Sequence, residues 1–302
     1  MKKSLICFGE ILWDLLPKGK EAGGAPLNVA FHANNLGLSS SIISRVGEDV
    51  LGEELLSFLL SKGISIDKVQ RDKVKPTGLV GVELHPEKGP LYTIHEPAAW
   101  DEIEIDGDLI STVSEADTIV FGSLICRHKK SQSTLFTLLE KSQLKVLDVN
   151  LRPPFYSRTL LDSLLGYADI VKVNEEELKI LSQEQGNPND YKRQMGNLVE
   201  NYNISSILLT RGKDGAVLLD HGKFYFQGAF PITVKDTIGS GDAFLAGYLK
   251  KTMEQCTPQE SLEFASATGA LVACREGGTP SLTEEEIIKF IHDQKTDSLT
   301  HN

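Results

Sequence analysis

The segment Asp236-Thr-Ile-Gly-Ser-Gly-Asp242 runs straight into the apolar stretch Ala243-Phe-Leu-Ala-Gly-Tyr-Leu249, which puts a carboxylate at the start of a helix. Gly239, Ser240 and Gly241 are small, so backbone can approach a ligand closely and the first helical amides stay uncovered. Those amides and the helix dipole favour an anion. A carboxylate beside an anion cradle opposes plain phosphate binding, because like charges repel. It has a use if Asp242 takes a proton from a hydroxyl that then attacks phosphorus. Gly-Ser-Gly-Asp by itself is equally an ordinary helix start with Asp242 complementing the dipole.

Other segments carry candidate groups. Asp148-Val-Asn-Leu-Arg-Pro-Pro154 follows an apolar strand, so Asn150 and Arg152 fall at a strand's carboxyl end, where open α/β sheets bind ligands. Gly23-Gly24 suits a backbone that changes φ/ψ and packs against a ligand. Asn174 three residues before Glu177 reads as a capping box. Thr210-Arg-Gly-Lys-Asp-Gly215 follows a strand and is also a normal turn. No GxxxxGK[ST] loop is present.

The elements that must position these groups are legible as a rhythm. Ser4–Phe8 and Ile11–Leu16 are short apolar runs, Pro26–Leu36 a helix closed by Gly37, Ser41–Val46 a strand and Leu51–Lys62 a helix closed by Gly63. Gly78–Leu84 and Leu91–His95 read as a hairpin. From about residue 105, strands at Thr118–Phe121, Lys145–Val149, Ile170–Val173 and Ser206–Leu209 alternate with helical stretches near 131–141, 159–167, 175–183 and 190–202. That alternation predicts a doubly wound, mostly parallel α/β sheet flanked by helices. Ala216–Leu219 and Lys223–Phe226 form a late hairpin, helices near 241–253 and 258–274 close the chain, and the polar tail after His292 frays. A small β-sheet lid is expected from 11–30 and 76–102, with 1–10, 31–75 and 103–302 in the main body.

Composition narrows the class. The 302 residues carry a net charge of −11, which disfavours nucleic acid as a partner. Cys7, Cys126, Cys256 and Cys274 form no CxxC pair, so reduced thiols in a cytoplasmic protein are expected. Glu10 and Asp14 interrupt the first apolar run, and no stretch is long enough to span a membrane.

Two signatures some 200 residues apart carry a family resemblance. Asp236-Thr-Ile-Gly-Ser-Gly-Asp242 resembles the C-terminal signature of the ribokinase-like (PfkB) carbohydrate kinases. Gly23-Gly-Ala-Pro-Leu-Asn28, with Gly37 and Gly47, resembles their N-terminal one. The resemblance covers essentially the whole chain. It implies ATP and Mg2+, with K+ as a further cation, and a small-molecule sugar as the other partner. It makes Asp242 the catalytic base and the amides of Gly239, Ser240 and Gly241 an anion hole. It gives sugar contacts to Asp14, Gly24, Asn28, Asn150 and Arg152, and Trp100 is a candidate to stack on the sugar ring. Asn174 and Glu177 resemble the family's magnesium and phosphate motif, and Thr210, Gly212 and Gly215 its nucleotide loop. Asp236, with Ile238, Val272, Arg275, Gly277 and Ser281, resembles the loop pair that encloses a monovalent cation.

The resemblance is strongest to fructokinases. Ala25-Pro26 stands where a ribokinase would more often carry Lys-Gly, and Thr93-Ile94 stands where a ketodeoxygluconate kinase has Tyr-Arg. Fructose is therefore the expected acceptor, at O6 or O1. Ribose, another hexose, ketodeoxygluconate or a nucleoside are the competing acceptors, and a sugar or nucleotide sensor without turnover is the competing class. Pairing of two lids into a homodimer is expected from the lid's open sheet face.

Overall fold

The computed structural model describes residues 3–85, 89–182 and 190–300, and side chains there except those of 82–85, 89–92 and 297–300. Strand β1 (Ser4–Phe8) sends Leu5 and Cys7 into one core and Ile6 and Phe8 into another, as a central strand covered on both faces does. The chain continues through β2 (Leu12–Leu16), β3 (Gly19–Gly23), α1 (Ala25–Asn35), β4 (Ser39–Gly47), α2 (Val50–Ser61) and β5 (Val69–Asp72). Next come β6 (Gly78–His85), β7 (Gly89–Ile94), α3 (Gly107–Glu115), β8 (Thr118–Gly122), α4 (Lys129–Leu139), β9 (Leu144–Asp148) and α5 (Arg158–Tyr167). Then follow β10 (Ile170–Asn174), α6 (Glu175–Ser182), α7 (Tyr191–Tyr202), β11 (Ser206–Thr210), β12 (Ala216–Asp220) and β13 (Lys223–Gln227). Helices α8 (Ser240–Met253), α9 (Pro258–Ala273) and α10 (Glu284–Thr300) close the chain.

Nine strands form one sheet in the order β13-β12-β11-β10-β9-β8-β1-β4-β5. It is parallel from β11 to β5, and only the β11–β12 and β12–β13 pairs are antiparallel. A separate four-stranded sheet, β3-β2-β6-β7 (hereafter the lid), is built from the two pieces expected to form one. The expected doubly wound body with a small second sheet is what the chain forms.

Several elements differ from expectation. Residues 25–30 belong to helix α1, which packs on α8 in the main body, so the lid's first piece ends at the glycine pair. Strand β3 is polar (Gly-Lys-Glu-Ala-Gly) and β5 is short and charged, so neither has an apolar period to read. The tail does not fray at His292: α10 runs to Thr300. Its start is a reciprocal cap, with Thr283 N donating to the Glu286 carboxylate and Glu286 N donating to the Thr283 hydroxyl. Ile287 is fully buried beneath it. The expected lid turn includes residues 86–88, which lie outside the described residues. The four cysteines are free, and no helix among the described residues is long and apolar enough to cross a membrane.

Where the lid returns to the body, Trp100 is fully buried. The Arg127 guanidinium lies 3.7 Å over its ring and holds both carboxylate oxygens of Asp101 at 2.7 Å. A Cβ at Gly78 would come within 2.6 Å of the indole nitrogen, so the glycine lets β6 pass over the ring. Arg127 and Asp101 are each 1% exposed. Replacing Arg127 with Leu should strand the Asp101 charge and cost about 3–5 kcal/mol in urea unfolding. Lys130→Ala at the exposed Glu104 pair should cost no more than about 1 kcal/mol. Equal losses would mean that burial does not set the difference.

Candidate active site

The carboxyl ends of the parallel strands open into a cavity of about 240 Å³, roofed by the lid. Glu10 follows β1, Asn150 and Arg152 follow β9, Lys172 comes from β10, and Gly239, Gly241 and Asp242 come from the start of α8. The lid adds Leu12, Asp14, Val80 and Ile94. Nine of the expected site residues meet here: Asp14, Gly24, Asn28, Asn150, Arg152, Ile238, Gly239, Gly241 and Asp242.

The loop entering α8 is shaped by contact. Gly239 has φ +72°, and a Cβ there would come within 2.4 Å of the Gly278 carbonyl. The N–H groups of Gly241 and Asp242 stand at the first turn, where no helical acceptor exists. The Ser240 amide instead donates to Thr237 O at 3.3 Å, and its hydroxyl donates to Gly269 O on α9. Ser240 therefore stitches helices together, and the cradle is formed by the two amides after it.

Asp242 is held by Asn28, whose Nδ2 donates to Oδ2 at 2.8 Å, leaving Oδ1 for a substrate proton. The Asn28 Oδ1 is buried and has no partner among the described residues. Burial and the neighbouring Asp148 raise the Asp242 carboxyl to about 6, against the pull of Lys172, Asn28 and Arg152. Asp14 stands directly across from Glu21 on the lid. Burial and that like charge raise it to about 6, again opposed by Arg152. Its carboxylate lies against Gly23, where a Cβ would come within 2.1 Å of Oδ2. Gly24, at φ +112°, brings backbone to within 2.4 Å of the Glu10 carbonyl, measured from where a Cβ would lie.

Three further groups were not anticipated. Lys172 sits opposite Asp148 in strand register and meets both its carboxylate oxygens at 2.9 Å. A lone lysine between Val171 and Val173 in a buried strand is the signal that marks it. Glu10 is 4% exposed, and burial raises it to about 7. A water-sized chamber lies behind it, bordered by Ser123, whose hydroxyl has no partner among the described residues.

Other expected residues fall elsewhere. Trp100 does not line the cavity and cannot stack on a ligand there, because its ring is sealed beneath Arg127. Each Glu177 oxygen is engaged by backbone, one accepting from Leu151 N and the other from Asn174 N, with a further acceptor site left on each. Glu177 ties the Asn150–Arg152 loop to α6. Asn174 Oδ1 caps that helix through the N–H groups of Glu176 and Glu177. Thr210 ends β11, and Gly212 and Gly215 both adopt positive φ in the turn after it. Asp236 accepts from Ile238 N and Gly277 N, drawing 236–238 against 272–277. The Val272 carbonyl accepts from Arg275 N, and the Ser281 carbonyl accepts from the Arg275 guanidinium, which does not suit Ser281 as a cation ligand. No cluster of three or more His, Cys, Asp or Glu able to hold a metal occurs among the described residues.

Glu10 gives a stability test of this electrostatics. A carboxyl raised in the folded state stabilises the fold below its unfolded pKa and loses that contribution as pH rises through about 7. Glu10→Gln should therefore gain on the order of 3 kcal/mol over the native chain at pH 8, shrinking towards zero near pH 4.5. Melting curves across that range that show no pH-dependent difference would contradict the buried charge.

Comparison with known proteins places this geometry. Residues 17–285 match the model of the pfkB family carbohydrate kinases. A fructokinase from Salmonella typhimurium is 28% identical over 93% of this chain and 97% of its own length. A 2-dehydro-3-deoxygluconokinase from Thermoproteus tenax is 24% identical over 90% of this chain and 86% of its own. The crystal structure of a fructokinase with bound ATP from Xylella fastidiosa superposes with a TM-score of 0.86 at 24% identity, covering 98% of this chain and all of that one. A helix-mouth carboxylate beside open amides thus stands in a chain whose residues 17–285 match one family model. The chain belongs to the pfkB family of carbohydrate kinases, phosphotransferases with an alcohol group as acceptor.

Proposed function

We propose that the chain is a fructokinase, using ATP to phosphorylate a primary hydroxyl of fructose, O6 or O1. The observation that carries this reading is the Asp242 carboxylate inside the lid-covered cavity, beside the Gly241 and Asp242 amides. Bound ATP would supply the phosphoryl group, with its phosphates on those amides and its remainder towards Asn174, Thr210, Gly212 and Gly215 at the ends of β10 and β11.

The chain's own residues then have definite tasks. Asp14, Asn28, Asn150 and Arg152 orient the sugar, while Leu12, Val80 and Ile94 cover its apolar face and exclude water. Asp242 accepts the hydroxyl proton at Oδ1 as the oxygen attacks phosphorus. The amides of the first turn take the charge that develops on the phosphoryl oxygens. For a Mg2+ ion accompanying the nucleotide, Glu177 would be the carboxylate to reach it through water, using the acceptor sites that Leu151 N and Asn174 N leave open. For K+, the oxygen-only donor set of Asp236 with the carbonyls of Ile238, Val272, Arg275 and Gly277 fits a hard monovalent cation, which would stiffen the loop leading into α8.

The neutral sugar is favoured by the lid. Among the described residues, its cavity-lining side chains are Leu12, Val80, Ile94 and the carboxylate of Asp14, so an acidic sugar group turned towards the lid meets repulsion and no described lid cation. The open lid face, with Leu15 39% exposed, is the surface for a homodimer, which light scattering reads directly.

Asp242→Asn should retain sugar and nucleotide binding while lowering kcat by about 10²–10⁴-fold. In the native enzyme, kcat/KM should fall about tenfold per pH unit below about 6, where Asp242 protonates. A flat profile to pH 5, or near-normal turnover by the variant, would remove Asp242 as the base. ADP release with a panel of sugars should favour fructose over ketodeoxygluconate, ribose and a nucleoside. Preference for any of the others would move the substrate assignment, and absence of turnover with all would favour a sensor.

A further inference from the structure

The mechanism above leaves Lys172 without a task. Its ammonium is nearly buried and faces both oxygens of Asp148, which was placed opposite it by the β9–β10 register. A pair of this kind is weak evidence for stability, because desolvating two charges costs about as much as their attraction returns. A central parallel strand is ordinarily filled with apolar side chains, as Ile170, Val171 and Val173 are here. The pair also sits at the cavity rather than deep in a core, and Lys172 lines it alongside Gly241 and Asp242.

Its position is specific. A Cβ built on Gly241 would lie 3.1 Å from Lys172 Nζ, so the ammonium occupies the space beside the first-turn amides that any larger residue at 241 would fill. An ammonium has three donors, and two suffice for the Asp148 oxygens. The third is available to the cradle. Burial opposes the charge, but Asp148, Asp242 and Glu177 together hold Lys172 protonated. The cavity is lined by the carboxyls of Glu10, Asp14 and Asp242, with Arg152 and Lys172 as its cations, and Asp148 stands behind Lys172 at the adjoining small chamber. A phosphoryl group entering that field needs a positive charge at the cradle itself.

Resting on the kinase reading of the site, we propose that Lys172 is a catalytic residue, its ammonium donating to an oxygen of the transferred phosphoryl group beside the amides of Gly241 and Asp242. Asp148 aims that ammonium and keeps it desolvated. In the transfer, the acceptor oxygen–phosphorus bond forms, the bond from phosphorus to the ADP oxygen breaks, and the hydroxyl proton goes to Asp242. Lys172 neither gains nor loses a proton.

The test compares Lys172→Met with the double variant Asp148→Asn/Lys172→Met. Asp148 and Lys172 act in opposite senses on Asp242, so the double variant removes the pair with the smaller disturbance of the base. Calorimetry measures binding of ADP and of a non-hydrolysable ATP analogue in the presence of fructose, and steady-state kinetics gives kcat. Both variants should lose about 10- to 100-fold in analogue affinity relative to ADP, with kcat down by about 10²-fold or more. Recovery of the native affinity ratio and kcat in the double variant would make Lys172 a mere counterion for Asp148 and overturn the proposal. So would loss of folding in both variants. A native enzyme that bound neither nucleotide would overturn the kinase reading as well, whereas native turnover with unaltered variants would overturn this assignment alone.

Discussion

A carboxylate that must remove a proton near neutral pH has to be ionised and yet retain affinity for that proton. In the proposed mechanism that balance falls to Asp242, where burial and Asp148 push the carboxyl up while Lys172, Asn28 and Arg152 pull it down. Three carboxyls, Glu10, Asp14 and Asp242, line one cavity with Asp148 close behind, so each cation there serves more than one carboxyl: Arg152 acts on Glu10, Asp14 and Asp242, and Lys172 on Asp242, Glu177 and its partner Asp148. Without these cations the cavity would take up protons, and a base that is already protonated does no work.

The fold sets these distances through backbone register. Lys172 faces Asp148 because β9 and β10 pair in parallel with those two residues aligned, and Asp148 in turn aligns with Gly122 of β8. Glu177 carries the order outward by accepting from Leu151 N, which fixes the loop bearing Asn150 and Arg152 relative to α6. Asp236 does the same on the other side, tying the approach to α8 against the loop after α9. The glycine pair at 23–24 joins the polar lid to α1, so the lid's one carboxylate at the cavity, Asp14, reaches it across a backbone with no side chains in the way.

Much of this was legible in the sequence where chemistry forces a local choice. Glycine on both sides of Ser240 followed by Asp242 reveals the helix mouth, and Asn150 and Arg152 are marked by following an apolar strand. Lys172 was harder, since a single lysine in an apolar run has no meaning until register shows what lies opposite. Glu10 read only as a break in an apolar run, because its burial depends on α1 and β8 folding over it. Trp100 misled for a related reason: an aromatic near a lid suits a ligand or a core equally, and the deciding contact comes from Arg127, 27 residues on. Glu177 satisfied both of its readings in pattern, and the Leu151 N–H adds a third task, tying the loop that follows β9. Helix α10 was missed: Thr283 and Glu286 carry its cap, but its apolar residues are too few to show a period.

A crystal structure with fructose and a non-hydrolysable ATP analogue tests the central claim most directly. The acceptor hydroxyl should lie about 2.6–3.2 Å from Asp242 Oδ1, with the terminal phosphate on the amides of Gly241 and Asp242. A sugar bound with no hydroxyl near that carboxylate, or a terminal phosphate held away from the start of α8, would contradict it.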